Sequence, residues 1–224
     1  MSKTFAIITA IAVILVCQTN SIGIKEEKEN SSLRKLGFDF NIEKTFDIKT
    51  ISFLGQKLIF KYRVAVKDGK AINQIIINSN LGSFKFGNND GVDTETSNSW
   101  SGKVRIFNSR FPPVPMITLG IIAEGSLNYT VKYATDSKDS LQLYLSGDLK
   151  ASSEVVSWPG GFTTISTGAE GTIISASGYA TVTKNDITKG FNFYGTAINT
   201  WVQAKAGQKI LWKHTYKLFD SWSS

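Results

Sequence analysis

Residues 58–77, LIFKYRVAVKDGKAINQIII, hold two runs of alternating apolar and polar residues on either side of an Asp-Gly pair. Such alternation is typical of strands with one buried and one solvated face. Asp68-Gly69 indicates a two-residue hairpin turn, because both central residues of that turn take positive φ. Pairing outward from the turn sets Val66 opposite Ala71, Val64 opposite Asn73, Tyr62 opposite Ile75 and Phe60 opposite Ile77. Since only Asn73 interrupts an apolar face, the segment predicts an antiparallel hairpin in this register.

The same period of two continues through much of the chain, with further runs at 38–42, 121–133, 141–150 and 173–183. No amphipathic helical pattern stands out after the N-terminal residues. We therefore predict an all-β fold, an antiparallel sandwich or barrel of about ten strands. Residues 111–115, FPPVP, cannot lie in a central strand, so we expect an extended crossing between two groups of strands. A PxxP ligand for a proline-recognising domain is the alternative for this segment.

The N-terminal residues predict secretion. Lys3 precedes an apolar run at 5–16, followed by small and polar residues, which is the pattern of a secretory signal peptide over 1–17. The run is about a dozen residues, against the roughly 20 needed to span a bilayer, so a retained anchor fits less well. A lipoprotein signal is disfavoured because Val16 is bulky for the position before a lipidated cysteine. Residues 18–35 are expected to be a charged mobile segment, and 36–224 a single β domain.

Composition limits the possible functions. Cys17 is the only cysteine, so cleavage after it would leave an extracellular chain with no disulfides and no thiolate metal ligand. The formal net charge is +7, without a long Lys/Arg run, which gives little support to nucleic-acid binding. Attraction to anionic lipid or acidic glycan is compatible with this charge.

Two internal similarities suggest repetition. Residues 123–127 and 133–135 resemble 169–173 and 179–181 at an offset of 46, and 141–144 resemble 191–194 at an offset of 50. These matches predict a repeated hairpin, with chance similarity between amphipathic strands as the alternative. Residues 55–61, GQKLIFK, also resemble 207–213, GQKILWK. By that second match, His214 takes the place of Tyr62.

Several residues could carry chemistry, and each has a simpler interpretation. His214, the only histidine, is in phase with apolar neighbours, so we expect a mostly buried ring with one hydrogen-bond partner rather than a catalyst or ligand. Glu124 and Glu170 could be imagined as a glycosidase pair, but acids on solvated faces are usually not catalytic. Residues 88–95 are oxygen-rich but do not fit an EF-hand, so a polar turn is expected. We predict no catalytic residue, metal or cofactor.

The candidate binding residues are Trp158 and Phe162, which flank Pro-Gly-Gly and could present a flat apolar surface to sugar rings, lipid or a protein. Rings folded inward over the sheet are the alternative. N-glycosylation sequons occur at Asn30 and Asn128. The strand 173–183 sets small apolar residues against Ser and Thr, as also found in β-pore formers, although ordinary sandwich strands show the same pattern.

These observations favour a secreted, extracellular, non-enzymatic protein that binds a glycan, lipid or membrane surface through loop aromatics. A self-associating structural or coat protein is the main alternative, because an open sandwich exposes unpaired strand edges. A secreted hydrolase using His214 or the Glu pair, and a β-pore-forming protein, are further alternatives.

Overall fold

A computed structural model describes residues 25–27, 35–53, 55–111, 114–134, 139–153, 158–160 and 163–224. The predicted signal peptide, Asn30 and Phe162 lie outside these residues, and of Trp158 only the backbone is described. The described chain is all strand, turn and irregular structure. Its strands are β1 Lys25–Glu27, β2 Ile42–Phe53, β3 Gln56–Lys67, β4 Lys70–Ser79, β5 Gly82–Gly87, β6 Thr96–Phe111, β7 Val114–Tyr133, β8 Ser140–Ser153, β9 Trp158–Gly160, β10 Thr163–Thr183, β11 Ile187–Gly195, β12 Ile198–Ala206, β13 Lys209–Phe219 and β14 Trp222–Ser223.

The strands form two antiparallel sheets. The smaller has the order β2-β3-β4-β5, and the larger runs β1-β6-β7-β8-β10-β11-β14. The N-terminal half of β10 diverges from this path and pairs with β9 and β12, and β12 pairs with β13. Neither sheet closes on itself within the described residues, so the barrel alternative is wrong. The described residues form fourteen strands against the expected ten or so, partly because β1, β9 and β14 are too short to show alternation.

The Asp68-Gly69 hairpin is confirmed in the predicted register. β3 pairs with β4 with Val66 opposite Ala71, Val64 opposite Asn73, Tyr62 opposite Ile75 and Phe60 opposite Ile77. Asp68 and Gly69 have φ of 51° and 73°, as the two-residue turn requires. Local turn chemistry and one apolar face therefore fix this part of the smaller sheet.

The two sheets pack face to face in a sandwich-like arrangement. Tyr62 of β3 lies 4.4 Å, between ring centroids, from Phe191 of β11, and Phe60 lies 5.8 Å from Trp222 of β14. At the other end of the interface, Phe86 of β5 meets the Trp100 ring edge-on at 5.0 Å. One continuous apolar core results, with side chains contributed by both sheets.

The polar side chain of Asn73, which interrupts the apolar face of β4, forms a hydrogen bond in the core. Its side chain is buried, and Nδ2 donates to the backbone oxygen of Tyr144 on β8, in the facing sheet, at 2.9 Å. Its backbone N–H donates to Oδ1 of Asn88, whose own Nδ2 donates to the Ala71 carbonyl at 2.9 Å. A polar residue on the inner face thus connects the two sheets.

Three glycines on the inner face of the larger sheet lie on neighbouring strands. Gly125 of β7, Gly147 of β8 and Gly178 of β10 share the inward phase of their strands. A Cβ at Gly125 would overlap the Asp148 carbonyl, and one at Gly147 would overlap the Ser126 carbonyl. Gly178 is similarly close to the Gly190 carbonyl. These contacts show that neighbouring backbones approach closely along this line, which only glycine permits.

One prediction about chain path is corrected. Phe111 pairs with Val114, so β6 and β7 are adjacent strands of one sheet, and the crossing predicted for residues 111–115 is wrong. Strand pairing, and not local composition, decides where β7 begins. Within the segment predicted to be mobile, β1 pairs with Ser99–Ser101 of β6. The mobility of residues 18–35 stays a prediction.

The predicted repeats are not confirmed. In β7 the inward phase holds through to Tyr133, which is buried, whereas a bulge at Ile173 shifts the phase of β10 and leaves Tyr179 exposed. The similarity between residues 55–61 and 207–213 also relates two strands in different environments. β3 lies between β2 and β4 in the core, but β13 pairs only with β12 among the described strands.

Candidate functional site

The most unusual surface of the described chain is the β12–β13 hairpin. Its turn pairs Ala206 with Lys209 around Gly207-Gln208, and Gly207 has φ of 58°, the positive value that a type II′ turn places at its first central position. β13 is an edge strand, since β12 is its only partner among the described strands. The hairpin therefore carries an open backbone edge.

Burial falls steeply from the base of this hairpin to its tip. Leu218 and Phe219 are buried at the C-terminal end of β13, but residues 209–215 are all exposed. On β12, Val202 is 1% exposed, although His214 directly opposite it is exposed. The face that Val202 and His214 share is thus covered at β12 and uncovered over residues 209–215 of β13.

The prediction that His214 is a mostly buried core residue is therefore wrong. Its strand phase was assigned correctly, because His214 shares a face with the buried Val202. The error lies in assuming that the whole face is covered. The comparison with Tyr62, which is fully buried, fails for the same reason.

Three consecutive apolar residues near the tip are exposed: Ile210 by 50%, Leu211 by 56% and Trp212 by 47%. A β-bulge within this stretch changes the face of the hairpin on which the side chains lie. Ile210 pairs with Lys205, Trp212 pairs with Ala204, and Leu211 is the extra residue between them. Ile210 and Trp212 thus lie on opposite faces of the hairpin, which makes the tip apolar on both sides.

Aromatic rings continue along β13 from this tip. The Trp212 and His214 rings are nearly parallel, at 8°, with centroids 6.2 Å apart. His214 is 4.4 Å from Tyr216 at a 59° tilt. We name this surface the hairpin patch, and it consists of Ile210, Leu211, Trp212 and His214 with the lysines Lys205, Lys209 and Lys213.

The charged side chains of the hairpin are all positive. Between Asp186 and Asp220 the sequence has five lysines and no acidic residue. Lys217 is paired with Asp220 at 2.6 Å, at the buried end of the strand. Lys213 Nζ lies 5.3 Å from the centre of the Trp201 ring on β12, a cation–π contact. The exposed end of the hairpin is therefore cationic as well as apolar.

Trp158, one of the two residues predicted to bind ligand, is at the same end of the sheet. Thr163 pairs with Gly160 on one side and with Ala206 on the other, so the end of β9 is next to the β12–β13 turn. Ile165 likewise pairs with Trp158 and with Ala204, whose other partner is Trp212. The backbone register thus places Trp158 and Trp212 at the two ends of one four-strand row.

The remaining candidates are not brought together. Glu124 pairs with Lys103 at 3.2 Å, and the Ser152 hydroxyl and then this lysine hold its pKa below the usual value. Glu170 lies on β10 opposite Asn199, and β8 separates it from Glu124 on β7. Asn88 is a buried turn residue, and no cluster of His, Cys, Asp or Glu suited to a metal occurs among the described residues. Asn128 is exposed on β7.

Comparison of the chain with protein-family models, with curated proteins and with solved structures finds no match. In the part of the chain that the structure describes, no helix has the length and apolar character to cross a membrane.

Sequence reasoning assigned Ile210, Trp212 and Lys213 to a core strand and so missed this surface. One signal was available: the acid-free stretch between Asp186 and Asp220 coincides with the exposed hairpin. Its apolar residues resemble core residues in composition, and only the missing cover distinguishes them.

Proposed function

We propose that this is a secreted, non-enzymatic protein that binds an anionic extracellular ligand through the hairpin patch. The observation that carries the proposal is the exposure of Ile210, Leu211 and Trp212 on a strand whose exposed charges are all lysines. Exposed apolar surface bordered by charge is typical of interaction sites. Lysines around it favour acidic partners and speed their encounter.

The packing of the core supports recognition at the surface. The largest fully buried side chains, including Tyr62, Phe60, Phe86 and Phe107, all belong to one apolar core. A ligand is thus better accommodated on the hairpin than inside the sandwich.

Self-association through the free edge of β13 is the second candidate. An unpaired strand edge can add a strand from another molecule. Against it, Lys209, Lys213 and Lys217 line this strand, and lysines on an edge oppose pairing between like molecules.

The test is charge reversal in the hairpin. Lys209→Glu/Lys213→Glu and a matched control, Lys67→Glu/Lys85→Glu in the smaller sheet, change the net charge equally, and all four lysines are exposed. We expect the hairpin variant to elute from heparin and from vesicles containing phosphatidylserine at lower salt than the wild type. The control should behave like the wild type.

Equal weakening of both variants would mean that net charge alone drives binding, and would contradict the proposal. Turnover of any hydrolase substrate that is abolished by His214→Ala or Glu124→Gln would contradict its non-enzymatic part.

A further inference from the structure

We infer that the ligand of the hairpin patch is an anionic lipid surface, into whose interfacial region the tip of the β12–β13 hairpin inserts. This inference rests on the proposed function and names the class of its ligand. It depends on three properties of the tip: where its apolar side chains point, which types they are, and how the lysines are placed around them.

The first property is that the tip is apolar on both faces. Ile210 shares a face with Lys205, and Trp212 shares the opposite face with Ala204. A sugar chain or a flat protein surface can contact only one face of a strand at a time. The interior of a lipid interface surrounds an inserted hairpin, so both faces and the bulged Leu211 are removed from water together.

The second property is the side-chain chemistry. Ile210 and Leu211 are aliphatic and offer no flat ring to stack against a sugar, yet they are 50% and 56% exposed. Trp212 follows directly, and tryptophan is enriched at membrane–water interfaces because its ring has an apolar body and one N–H. This combination favours lipid over glycan.

The third property is the position of charge. Lys209 directly precedes Ile210, Lys213 directly follows Trp212, and Lys205 is opposite Ile210 on β12. Lysine stems can lie along apolar surface while the ammonium groups reach phosphate or carboxylate headgroups. Each lysine near an anionic leaflet adds to the attraction, and the hairpin has no carboxylate to oppose it.

The experiment compares co-sedimentation of the full chain with vesicles of phosphatidylcholine alone and of phosphatidylcholine mixed with phosphatidylserine, in parallel with retention on heparin. The test variants are Leu211→Ser and Trp212→Ala. Their controls are Leu81→Ser and Tyr194→Ala, at positions 43% and 48% exposed and away from the hairpin. All five proteins are compared by circular dichroism for folding.

We expect binding to the mixed vesicles, reduced on the order of tenfold by Leu211→Ser and by Trp212→Ala and unchanged in the controls. Heparin retention, which depends on the lysines, should be unchanged in all four variants. Brominated lipids should quench the tryptophan fluorescence of the wild type, and Trp212→Phe should remove most of that quenching.

Retention on heparin without vesicle binding would overturn the lipid inference and leave the proposed function standing. Binding to neither would contradict both. Equal loss of heparin and vesicle binding in Leu211→Ser would indicate a glycan or general anionic site. A dimer that Leu211→Ser dissociates, in a protein that does not bind vesicles, would identify a second copy as the occupant.

Discussion

At the scale of single residues, Tyr62 places a polar hydroxyl group in the apolar core. It is completely buried against Phe46, Phe191 and Phe193, and its hydroxyl has no hydrogen-bond partner among the described residues. A buried hydroxyl without a partner costs about 1–3 kcal/mol in desolvation. Burial also raises the pKa of Tyr62 well above its ordinary value near 10.

Tyr62→Phe should therefore stabilise the protein at neutral pH, by about 1 kcal/mol. Because the folded-state pKa is raised, the neutral phenol is favoured by folding, and its contribution is complete below pH 10 and lost as the unfolded chain ionises above it. The variant should lose less stability than the wild type between pH 9 and pH 11. Urea midpoints at the two pH values measure this, with the exposed Tyr194→Phe as the control. A lower midpoint for Tyr62→Phe at neutral pH would show that the hydroxyl is satisfied.

At the scale of secondary structure, register determines what each glycine can tolerate. Gly125 has no space for a Cβ because the Asp148 carbonyl of the neighbouring strand occupies it. Gly190 on β11 has no atom closer than 3.7 Å to the same position. The two glycines therefore provide a matched pair within one sheet.

Gly125→Ala should destabilise the fold by about 1–3 kcal/mol, since β7 and β8 must move apart to accept the methyl group. Gly190→Ala should be close to neutral. Thermal melting of both variants measures the difference. Similar melting temperatures for the two would mean that the sheet does not have the close approach of β7 and β8 described above.

Sequence patterns predicted the pairing of adjacent strands well, but they predicted poorly which strand faces are buried by distant parts of the chain. The β3–β4 register followed from Asp68-Gly69 and one apolar face, which are properties of adjacent residues. The exposure of His214 depends on how far the cover over its face extends, and the shift at Ile173 depends on a bulge, neither of which alternation reveals. For the candidate site, the phase of β13 near His214 was right, but the bulge at Leu211 reversed Ile210.

At the scale of the whole molecule, the two sheets share one core and are also connected by the Asn73 amide, which donates to the Tyr144 backbone oxygen. The Asn73 side chain is buried and this hydrogen bond is partly buried, so its loss removes a donor from an acceptor in the facing sheet. Coupled sheets should unfold together, since neither buries its inner face alone.

Asn73→Ala should lower the free energy of unfolding by about 1–3 kcal/mol, whereas Asn78→Ala on the same strand should change it by less than about 1 kcal/mol. Urea unfolding followed by tryptophan fluorescence and by far-UV circular dichroism should give coincident transitions in the wild type. Separate transitions by the two probes would show that the sheets unfold independently.

The edges of the larger sheet offer a way to measure its curvature in solution. β1 and β14 occupy its two opposite edges, six strand steps apart, which corresponds to roughly 29 Å along the sheet. Cys17 is the only native cysteine, so dyes attached at Lys25→Cys and Ser223→Cys in a Cys17→Ser background would report one distance by resonance energy transfer. A distance between the dyes that is clearly shorter than the path along the sheet would show that the larger sheet is curved. If Gly125→Ala flattens the sheet, this distance should increase.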